Sequence, residues 1–283
     1  MSTSIFAPRS EFDDIPLTDC HVHIGESDTN EIYYPHLALD EYRRLMAPAG
    51  ITRACVFAPL RKDGYRQINA RLRTAAADPR RSILVFARLA SRDIPLTEPA
   101  PWLVRYKLHR HLTGFFHEQA TPDDLVGFDG VKLLPHLDGC PSRDVLAAID
   151  ELGLPLLVHG GDFCSPRWIE RHLIRHTRAP VIIAHLGSFP CAERHLKDAV
   201  AIAARHEQVY LDTSGAWHHE YLRYAVRRIP KKIIFGSDAP LMHPLVAWRH
   251  VSHAVADDIT LEWIAHGAAD EIFGCVDRSG GVS

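Results

Sequence analysis

Two histidines lie one residue apart in the segment DCHVHIG, residues 19–25, at the end of an apolar run. In a β-strand, side chains at positions i and i+2 point to the same face, so His21 and His23 would lie side by side with Cys20 on the opposite face. Two imidazoles in this arrangement can bind one divalent metal ion if further ligands reach the same point. The pair suggests metal chemistry but does not by itself establish it.

Chance supplies such pairs in this chain, because 19 of its 283 residues are histidine and about one HxH pair is expected at random. A second pair, His109 and His111, lies in PWLVRYKLHRHLTGFF, which has a helical pattern. Residues two apart on a helix do not share a face, so we expect these two histidines in solvated or lid positions rather than in a metal site. Whether the first pair indicates a metal site therefore depends on the strands and helices predicted around it.

Eight short apolar runs rich in β-branched residues recur along the chain, each followed by a turn and a segment with helical periodicity. This alternation predicts an α/β protein with a parallel sheet, and eight such units predict one (β/α)₈ TIM barrel domain over residues 1–283. A doubly wound sheet is the structural alternative, but its GxGxxG turn is absent. The eight runs are LTDCHVHI, RACVFAP, SILVFARL, GVKLLP, PLLVHG, VIIAHLG, VYLDTSG and IIFGSDAP.

Helix candidates between the runs cover Ser142 to Leu152, Cys191 to His206 and His218 to Ile229. Ser142 suits the N-cap of the first, and Gly153 lies just past its end. The longest connection, Ala90 to Asp129, predicts an inserted helical segment between strands 3 and 4. Such an insertion is a lid, a substrate wall or part of the scaffold, and the sequence does not choose among these.

Polar side chains that can bind a metal or carry a proton occur near the carboxyl ends of five of the eight runs. In a barrel those ends surround one mouth, where catalytic groups lie in this architecture. Strand alternation also predicts that Lys132, His159 and Asp238 point into the barrel. A single buried histidine is more often a satisfied core residue, whereas the joint arrangement favours one site. The residues concerned are His21 and His23, Lys132, His159, His185 and Asp238.

The composition excludes several classes of partner. The formal net charge is -3 and no polybasic segment is present, so neither nucleic acid nor an anionic membrane surface is expected as a partner. No run of about 18 apolar residues or export signal is found, and six scattered cysteines without CxxC suit reduced thiols in the cytoplasm. A small molecule, which could bear a carboxylate, is the expected partner, and a homo-oligomer stays open.

The order of these residues resembles the amidohydrolase superfamily. The segments DCHVHIG, GVKLLP, LVHGG, IIAHLGS, VYLDTSG, IIFGSDAP and IAHGAADEIFG are similar to the amidohydrolase 2 family of metal-dependent hydrolases and decarboxylases. The resemblance spans roughly Leu17 to Gly274. It fails at one point, because the typical GxKLHP of the family reads GVKLLP here, with His136 following. A family contact at Leu134 therefore cannot be carried over.

The resemblance implies a metal centre held by His21, His23, His159 and Asp238. Mixed imidazole and carboxylate ligands suit Zn²⁺ best and are compatible with Mn²⁺ or Fe²⁺. Asp238 would take the proton of an activated water and pass it to the leaving group. His185 would polarise the scissile carbonyl or stabilise the intermediate.

Lys132 is open to two interpretations under the same resemblance. In two-metal relatives the lysine after the fourth strand carries a carbamate that bridges the ions, and His185 then becomes a ligand. Otherwise Lys132 is a cation that contacts the substrate or a strand-end carboxylate. One ion is favoured here, and two are expected if Lys132 is carboxylated.

Three further residues are secondary candidates. Arg88 closes the third run and would bind a substrate carboxylate in a bidentate manner, or else form a salt bridge to a neighbouring loop. Trp217 follows the seventh run and would form a pocket wall or pack at a helix start. Asp212 points inward and would tune the site or make a structural hydrogen bond.

The sequence supports three functions. The first is a metal-dependent hydrolase that cleaves an amide, lactone or ester of a small molecule with activated water. The second is a non-oxidative, metal-dependent decarboxylase of a small carboxylic acid, and the third is a non-catalytic barrel that binds a metabolite.

Overall fold

Eight parallel strands pair in chain order, from β1 to β8, as the sequence predicts for a (β/α)₈ barrel. The computed structural model describes residues 15–27, 35–61, 63–91 and 118–274. All eight apolar runs form strands, and the predicted fold class is confirmed. The strands are β1 (Leu17–His23), β2 (Ile51–Phe57), β3 (Ile83–Arg88), β4 (Gly130–Leu133), β5 (Leu156–Val158), β6 (Val181–Ile183), β7 (Val209–Asp212) and β8 (Ile233–Ile234).

Backbone hydrogen bonds between β1 and the segment that follows β8 close the sheet into a barrel. Cys20 N donates to Phe235 O at 3.0 Å, Asp238 N to His21 O at 2.9 Å, and His23 N to Ala239 O at 2.8 Å. We call this junction the seam. It brings the first and last strands of the barrel side by side.

Helices follow the strands, most of them on the outside of the barrel. They are α1 (Leu39–Met46), α2 (Arg66–Ala76), α3 (Pro135–Asp138), α4 (Arg143–Leu152), α5 (Pro166–His172), α6 (Glu193–Arg205), α7 (His219–Arg228), α8 (Pro244–Ala254), α9 (Asp258–Glu262) and α10 (Ala268–Phe273). Helices α4, α6 and α7 match the three helix candidates of the sequence. Ser142 caps α4 by accepting a hydrogen bond from Val145 N, and Gly153 ends it with a φ of 64°.

The two larger apolar clusters of the described residues lie on the two faces of the strands. The inner core fills the barrel with side chains such as Phe57, Phe86, Leu157 and Ile234, and α10 packs against it through Ala268 and Ala269. The outer core lies between the strands and the surrounding helices. Gly130 is required by the inner packing, since a Cβ there would lie 2.6 Å from the Phe86 ring.

Strand β1 departs from regular alternation. Its pairing with β2 shifts register between Asp19 and Val22. Asp19 accepts a hydrogen bond from the Tyr42 hydroxyl of α1 at 2.8 Å, whereas Cys20 belongs to the inner core beside His21. The expectation that Cys20 and His21 occupy opposite faces is therefore wrong, because a bulge places both on the inner side.

The long connection after β3 is only partly described. Residues 92–117 lie outside the described residues, so the predicted helical insertion, with His109 and His111, stays a prediction. The described remainder forms a 3₁₀ turn, Pro122–Leu125, and the Glu118 carboxylate accepts hydrogen bonds from the backbone of Tyr65 and Arg66. Within the described residues, no helix has the length and apolarity needed to span a membrane. The extent of one domain over the whole chain stays a prediction.

Candidate metal centre

Three of the four predicted metal ligands converge across the seam. Asp238 Oδ1 lies 3.5 Å from His21 Nε2 and 3.3 Å from His23 Nε2, and all three side chains are buried. Their ligand atoms lie within 4.8 Å of one another, which is close enough for one ion to reach all three. The pair from the first strand and the carboxylate after the last strand therefore form one site.

The fourth predicted ligand, His159, lies beside this group and contacts His185. His159 Nδ1 is 3.1 Å from His185 Nε2, and the two rings are 4.8 Å apart. His159 is not in the compact group of His21, His23 and Asp238. Its Nε2 is buried without a hydrogen-bond partner in the part of the chain that the structure describes.

Asp212 and Ser214, after β7, form a polar network beneath the histidines. Asp212 Oδ2 lies 2.7 Å from His21 Nδ1, and its Oδ1 accepts a 2.5 Å hydrogen bond from the Ser214 hydroxyl. Ser214 Oγ is also 2.9 Å from Nδ1 of both His21 and His185. One carboxylate and one hydroxyl thus hold two imidazoles from two different strands.

This network assigns the tautomers of three histidines. The Asp212 carboxylate accepts from His21 Nδ1–H, and the Ser214 carbonyl, 3.1 Å away, accepts from His185 Nδ1–H. His185 Nε2 then accepts the Nδ1 proton of His159. The lone pairs of His21 Nε2 and His159 Nε2 are consequently presented as ligands, since the partner of one ring nitrogen fixes the role of the other.

The protonation states also suit a metal. Burial lowers the pKa of His21 and His159 well below the usual value and that of His23 to about 4, so all three are neutral at pH 7. Burial raises the pKa of Asp238, but the neighbouring His21 and the hydrogen bond from His23 outweigh it and hold the pKa well below its usual value. Neutral imidazoles with an ionised carboxylate form a donor set that fits a divalent ion.

Lys132 lies within the same site. Its ammonium is almost fully buried, 3.2 Å from His21 Nε2 and 4.7 Å from the centre of the Phe57 ring. Burial lowers its pKa to about 8, against the opposing effects of Asp212 and Asp238. The structure therefore places Lys132 where it can contact a substrate or carry a carbamate, and both roles stay predictions.

Two site residues have left-handed backbone conformations. His185 has a φ of 61° and Asp238 a φ of 66°. Each is held by a hydrogen bond from its amide, His185 N to Asp212 Oδ1 at 2.8 Å and Asp238 N to His21 O at 2.9 Å. Such a conformation costs a non-glycine residue about 1–3 kcal/mol and is concentrated at functional sites.

The structure places Arg88 in a buried ion pair. Its Nε donates to Asp138 Oδ2 at 2.8 Å, its Nη1 to Ala58 O at 3.1 Å, and its guanidinium lies 4.9 Å from the Tyr65 ring centre. This is the salt bridge to a neighbouring loop that the sequence left open. The substrate-binding role of Arg88 stays a prediction.

Trp217 stands near the mouth, half-exposed. Its ring lies 5.9 Å from that of Phe189, which in turn is 5.0 Å from His185. Trp217 therefore lies where it could form part of the wall of the site, and this role stays a prediction.

Sequence reasoning missed two aromatic residues and one acid. Phe57 packs edge-on to His21 at 5.1 Å and to His23 at 4.6 Å, and Phe189 packs against His185. Alternation along β2 would have placed Phe57 inside the barrel, but no sequence signal marks Phe189 or the Asp138 partner of Arg88.

Fold and site together define a class of protein, a (β/α)₈ barrel that gathers histidines, a lysine and an aspartate at one mouth, as metal-dependent barrel enzymes do. The family model described as Amidohydrolase matches residues 18–275. The chain therefore belongs to the amidohydrolase family, and the resemblance seen in the sequence is confirmed. No curated protein matches the chain.

Solved structures share this fold at low sequence identity. A probable 2-pyrone-4,6-dicarboxylic acid hydrolase from Acinetobacter baumannii, with citric acid bound, has a TM-score of 0.62 at 15% identity, over 92% of this chain and 99% of that one. A 2,6-dihydroxybenzoate decarboxylase from Rhizobium has a TM-score of 0.58 at 15% identity, over 91% and 98%. A 5-carboxyvanillate decarboxylase from Sphingomonas paucimobilis has a TM-score of 0.60 at 16% identity, over 92% and 99%.

Proposed function

We propose that this protein is a metal-dependent hydrolase that cleaves an amide, lactone or ester bond of a small carboxylate-bearing molecule. The observation that carries this proposal is the convergence of His21, His23 and Asp238 within 4.8 Å at the barrel mouth. Membership of the amidohydrolase family supports it. The non-catalytic alternative does not account for an ionised carboxylate held among buried imidazoles.

The donor set suits one zinc ion held by His21, His23, His159 and Asp238, with Mn²⁺ or Fe²⁺ as alternatives. The buried Nε2 of His159 without a partner among the described residues supports its inclusion, because such a nitrogen is costly unless a ligand reaches it. When bound, the ion supplies a Lewis acid that lowers the pKa of a water molecule and polarises a substrate oxygen.

Asp238 is the group that would receive and return a proton. Its lowered pKa keeps it ionised at neutral pH, and its Oδ1 lies close to both histidines of β1. His185 Nε2 accepts the His159 proton in this hydrogen-bond arrangement. Polarisation of a substrate carbonyl by His185 would therefore require a second proton on its ring and the loss of that bond.

The substrate class follows from charge and from the relatives. Lys132 presents a buried cation beside the ligands, which favours an anionic substrate group. The three structural relatives are named for dicarboxylate or benzoate substrates. A decarboxylase is the second candidate, because two of these relatives are decarboxylases and the same buried cation would bind the carboxylate that leaves.

Metal analysis of protein purified without added ions tests the metal centre. We expect about one equivalent of divalent metal in the wild type and little in His23→Ala. Asp212→Asn should weaken metal affinity about 10- to 100-fold, since the carboxylate orients His21. A metal-free wild type whose activity survives chelation would refute the proposal, whereas two equivalents, with one lost in Lys132→Ala, would favour the carbamate-bridged form.

A carboxylate panel separates the two reactions. The panel consists of 2-pyrone-4,6-dicarboxylate, 2,6-dihydroxybenzoate and 5-carboxyvanillate, each incubated with zinc-loaded protein in ¹⁸O-labelled water. Hydrolysis of the lactone in 2-pyrone-4,6-dicarboxylate incorporates ¹⁸O into the ring-opened product, as we expect. The two benzoates have no amide, lactone or ester bond, so they report decarboxylation alone. Release of carbon dioxide with incorporation of a solvent proton would instead show the decarboxylase.

We also propose a cytoplasmic location. No disulfide joins Cys20, Cys55, Cys140, Cys164 and Cys191, the five cysteines within the described ranges, which suits a reducing compartment. Homo-oligomer formation stays a prediction.

A further inference from the structure

His136 is a buried histidine at the barrel mouth that the proposed mechanism does not use. It lies on α3, immediately after β4, and only 3% of it is exposed. Its ring centre is 5.0 Å from that of His159 and 5.6 Å from that of Phe163. His136 therefore borders the metal centre on the side of His159.

The Nδ1 atom of His136 is buried and has no hydrogen-bond partner among the described residues. A buried polar nitrogen without a partner costs about 1–3 kcal/mol and is rare in native structures. His159 Nε2, on the neighbouring ring, is also buried without a hydrogen-bond partner in the described part of the chain. The proposed ion accounts for His159 Nε2, so His136 Nδ1 is the nitrogen left for a second polar ligand beside it.

The surroundings of His136 indicate an anionic ligand. Two buried cations, Arg88 and Lys132, are register partners on β3 and β4, and β4 is the strand that leads into His136. The Arg88 charge is compensated by Asp138 at 2.8 Å, whereas Lys132 contacts the neutral ring of His21 and the face of Phe57. Asp212 and Asp238 oppose the charge of Lys132, but the divalent ion of the proposed function would compensate both carboxylates and leave Lys132 as the net positive charge that an anion would meet.

We propose that His136 is a substrate-binding residue whose Nδ1–H donates a hydrogen bond to a carboxylate oxygen of a substrate bound beside His159. This inference rests on the proposed function, which it deepens by naming the group that selects a carboxylate. A neutral imidazole donor is suited to this task because it binds the oxygen without adding another buried charge.

A matched pair of variants tests His136. Asn places an amide N–H near the position of Nδ1, and Leu has nearly the same shape without a donor. Calorimetry with zinc-loaded protein would compare each member of the carboxylate panel with its carboxamide. For the member that the wild type binds most tightly, we expect roughly 10- to 100-fold weaker binding in His136→Leu, the usual range for a hydrogen bond to a charged group, and recovery of most of the affinity in His136→Asn.

The controls separate this inference from the proposed function. Zinc content and the thermal unfolding midpoint should be the same in the wild type and both variants. If His136→Leu binds the panel as tightly as the wild type, or the wild type prefers no carboxylate over its carboxamide, the role of His136 is refuted while the metal centre stands. If the wild type binds no zinc, the proposed function fails, and the same comparison without metal still decides the role of His136.

Discussion

At the scale of single residues, the site is organised by polar groups that never need to touch a substrate. Asp212 and Ser214 together contact His21 and His185 and fix which ring nitrogen of each is protonated. Asp138 accepts hydrogen bonds from both Arg88 Nε and the Tyr65 hydroxyl, and so holds the guanidinium beside Tyr65. Because these acids are buried, each is an obligatory partner of the cation or imidazole beside it.

The Arg88–Asp138 pair gives the first prediction. Arg88→Met leaves the Asp138 carboxylate buried without its cation, so the free energy of unfolding should fall by about 3–5 kcal/mol, measured by urea denaturation. The double variant Arg88→Met, Asp138→Leu should recover most of this loss. An unchanged free energy of unfolding with a sharply raised KM would show instead that Arg88 binds substrate.

Residue chemistry at strand ends, including the supporting Asp212, could be predicted from the sequence, whereas the partners that lie in turns could not. His21, His23, Lys132 and Asp238 follow from alternation and from the meeting of strand ends at one mouth. Asp138 and Phe189 reach the site from turns whose shape depends on the whole barrel, and no periodic signal marks them. The predicted face of Cys20 was wrong for a related reason, since a bulge breaks the two-residue period on which the prediction rests.

At the scale of elements, ion pairs attach neighbouring helices to each other outside the barrel. Glu170 of α5 is almost fully buried and accepts hydrogen bonds from Arg205 Nη2 at 2.9 Å and Nε at 3.2 Å and from His206 at 3.0 Å. Burial opposes its ionisation, but these bonds lower the pKa of Glu170 from 4.5 to about 2. The ionised carboxylate therefore stabilises the contact between α5 and α6.

The pH dependence of this contact is the second prediction. A carboxyl group whose pKa is lowered in the folded state stabilises the fold fully above its unfolded pKa of 4.5, and the effect is lost as the pH falls towards 2. Glu170→Gln should lower the free energy of unfolding by about 1–2 kcal/mol at pH 7, because the exposed arginine partners reduce the full effect.

Thermal unfolding at several pH values measures this difference. The gap between the wild type and Glu170→Gln should narrow from pH 5 to pH 3. Glu151→Gln, at an exposed position of α4, is the control and should show no such narrowing. A gap that stays constant over this range would contradict the ionised pair.

At the scale of the whole molecule, the end of the barrel opposite the metal site is closed by α10. Arg53 of β2 donates to Asp270 Oδ1 at 2.9 Å and to Gly274 O at 2.8 Å, and Phe273 packs edge-on to Phe86 of the inner core at 5.9 Å. Helix α10 is thus part of the inner core rather than an appendage to it.

The third prediction belongs to this scale and concerns Asp270→Ala. It leaves the buried Arg53 guanidinium without its carboxylate, so the free energy of unfolding should fall by about 2–4 kcal/mol. Metal content should not change, because the affected end lies away from the metal site. Glu262→Ala, at an exposed position of α9, should have little effect in the same urea titration.

The seam joins parts of the chain that are far apart in sequence. His21 and His23 belong to the first strand and Asp238 follows the last, so one ion held by all three would crosslink positions roughly 200 residues apart. By the chain-entropy argument used for disulfides, a crosslink that closes a loop of that length lowers the conformational entropy of the unfolded chain. This raises the free energy of the unfolded chain by about 5 kcal/mol. The ion of the proposed reaction would then also stabilise the closed barrel by crosslinking its first strand to the segment after its last strand.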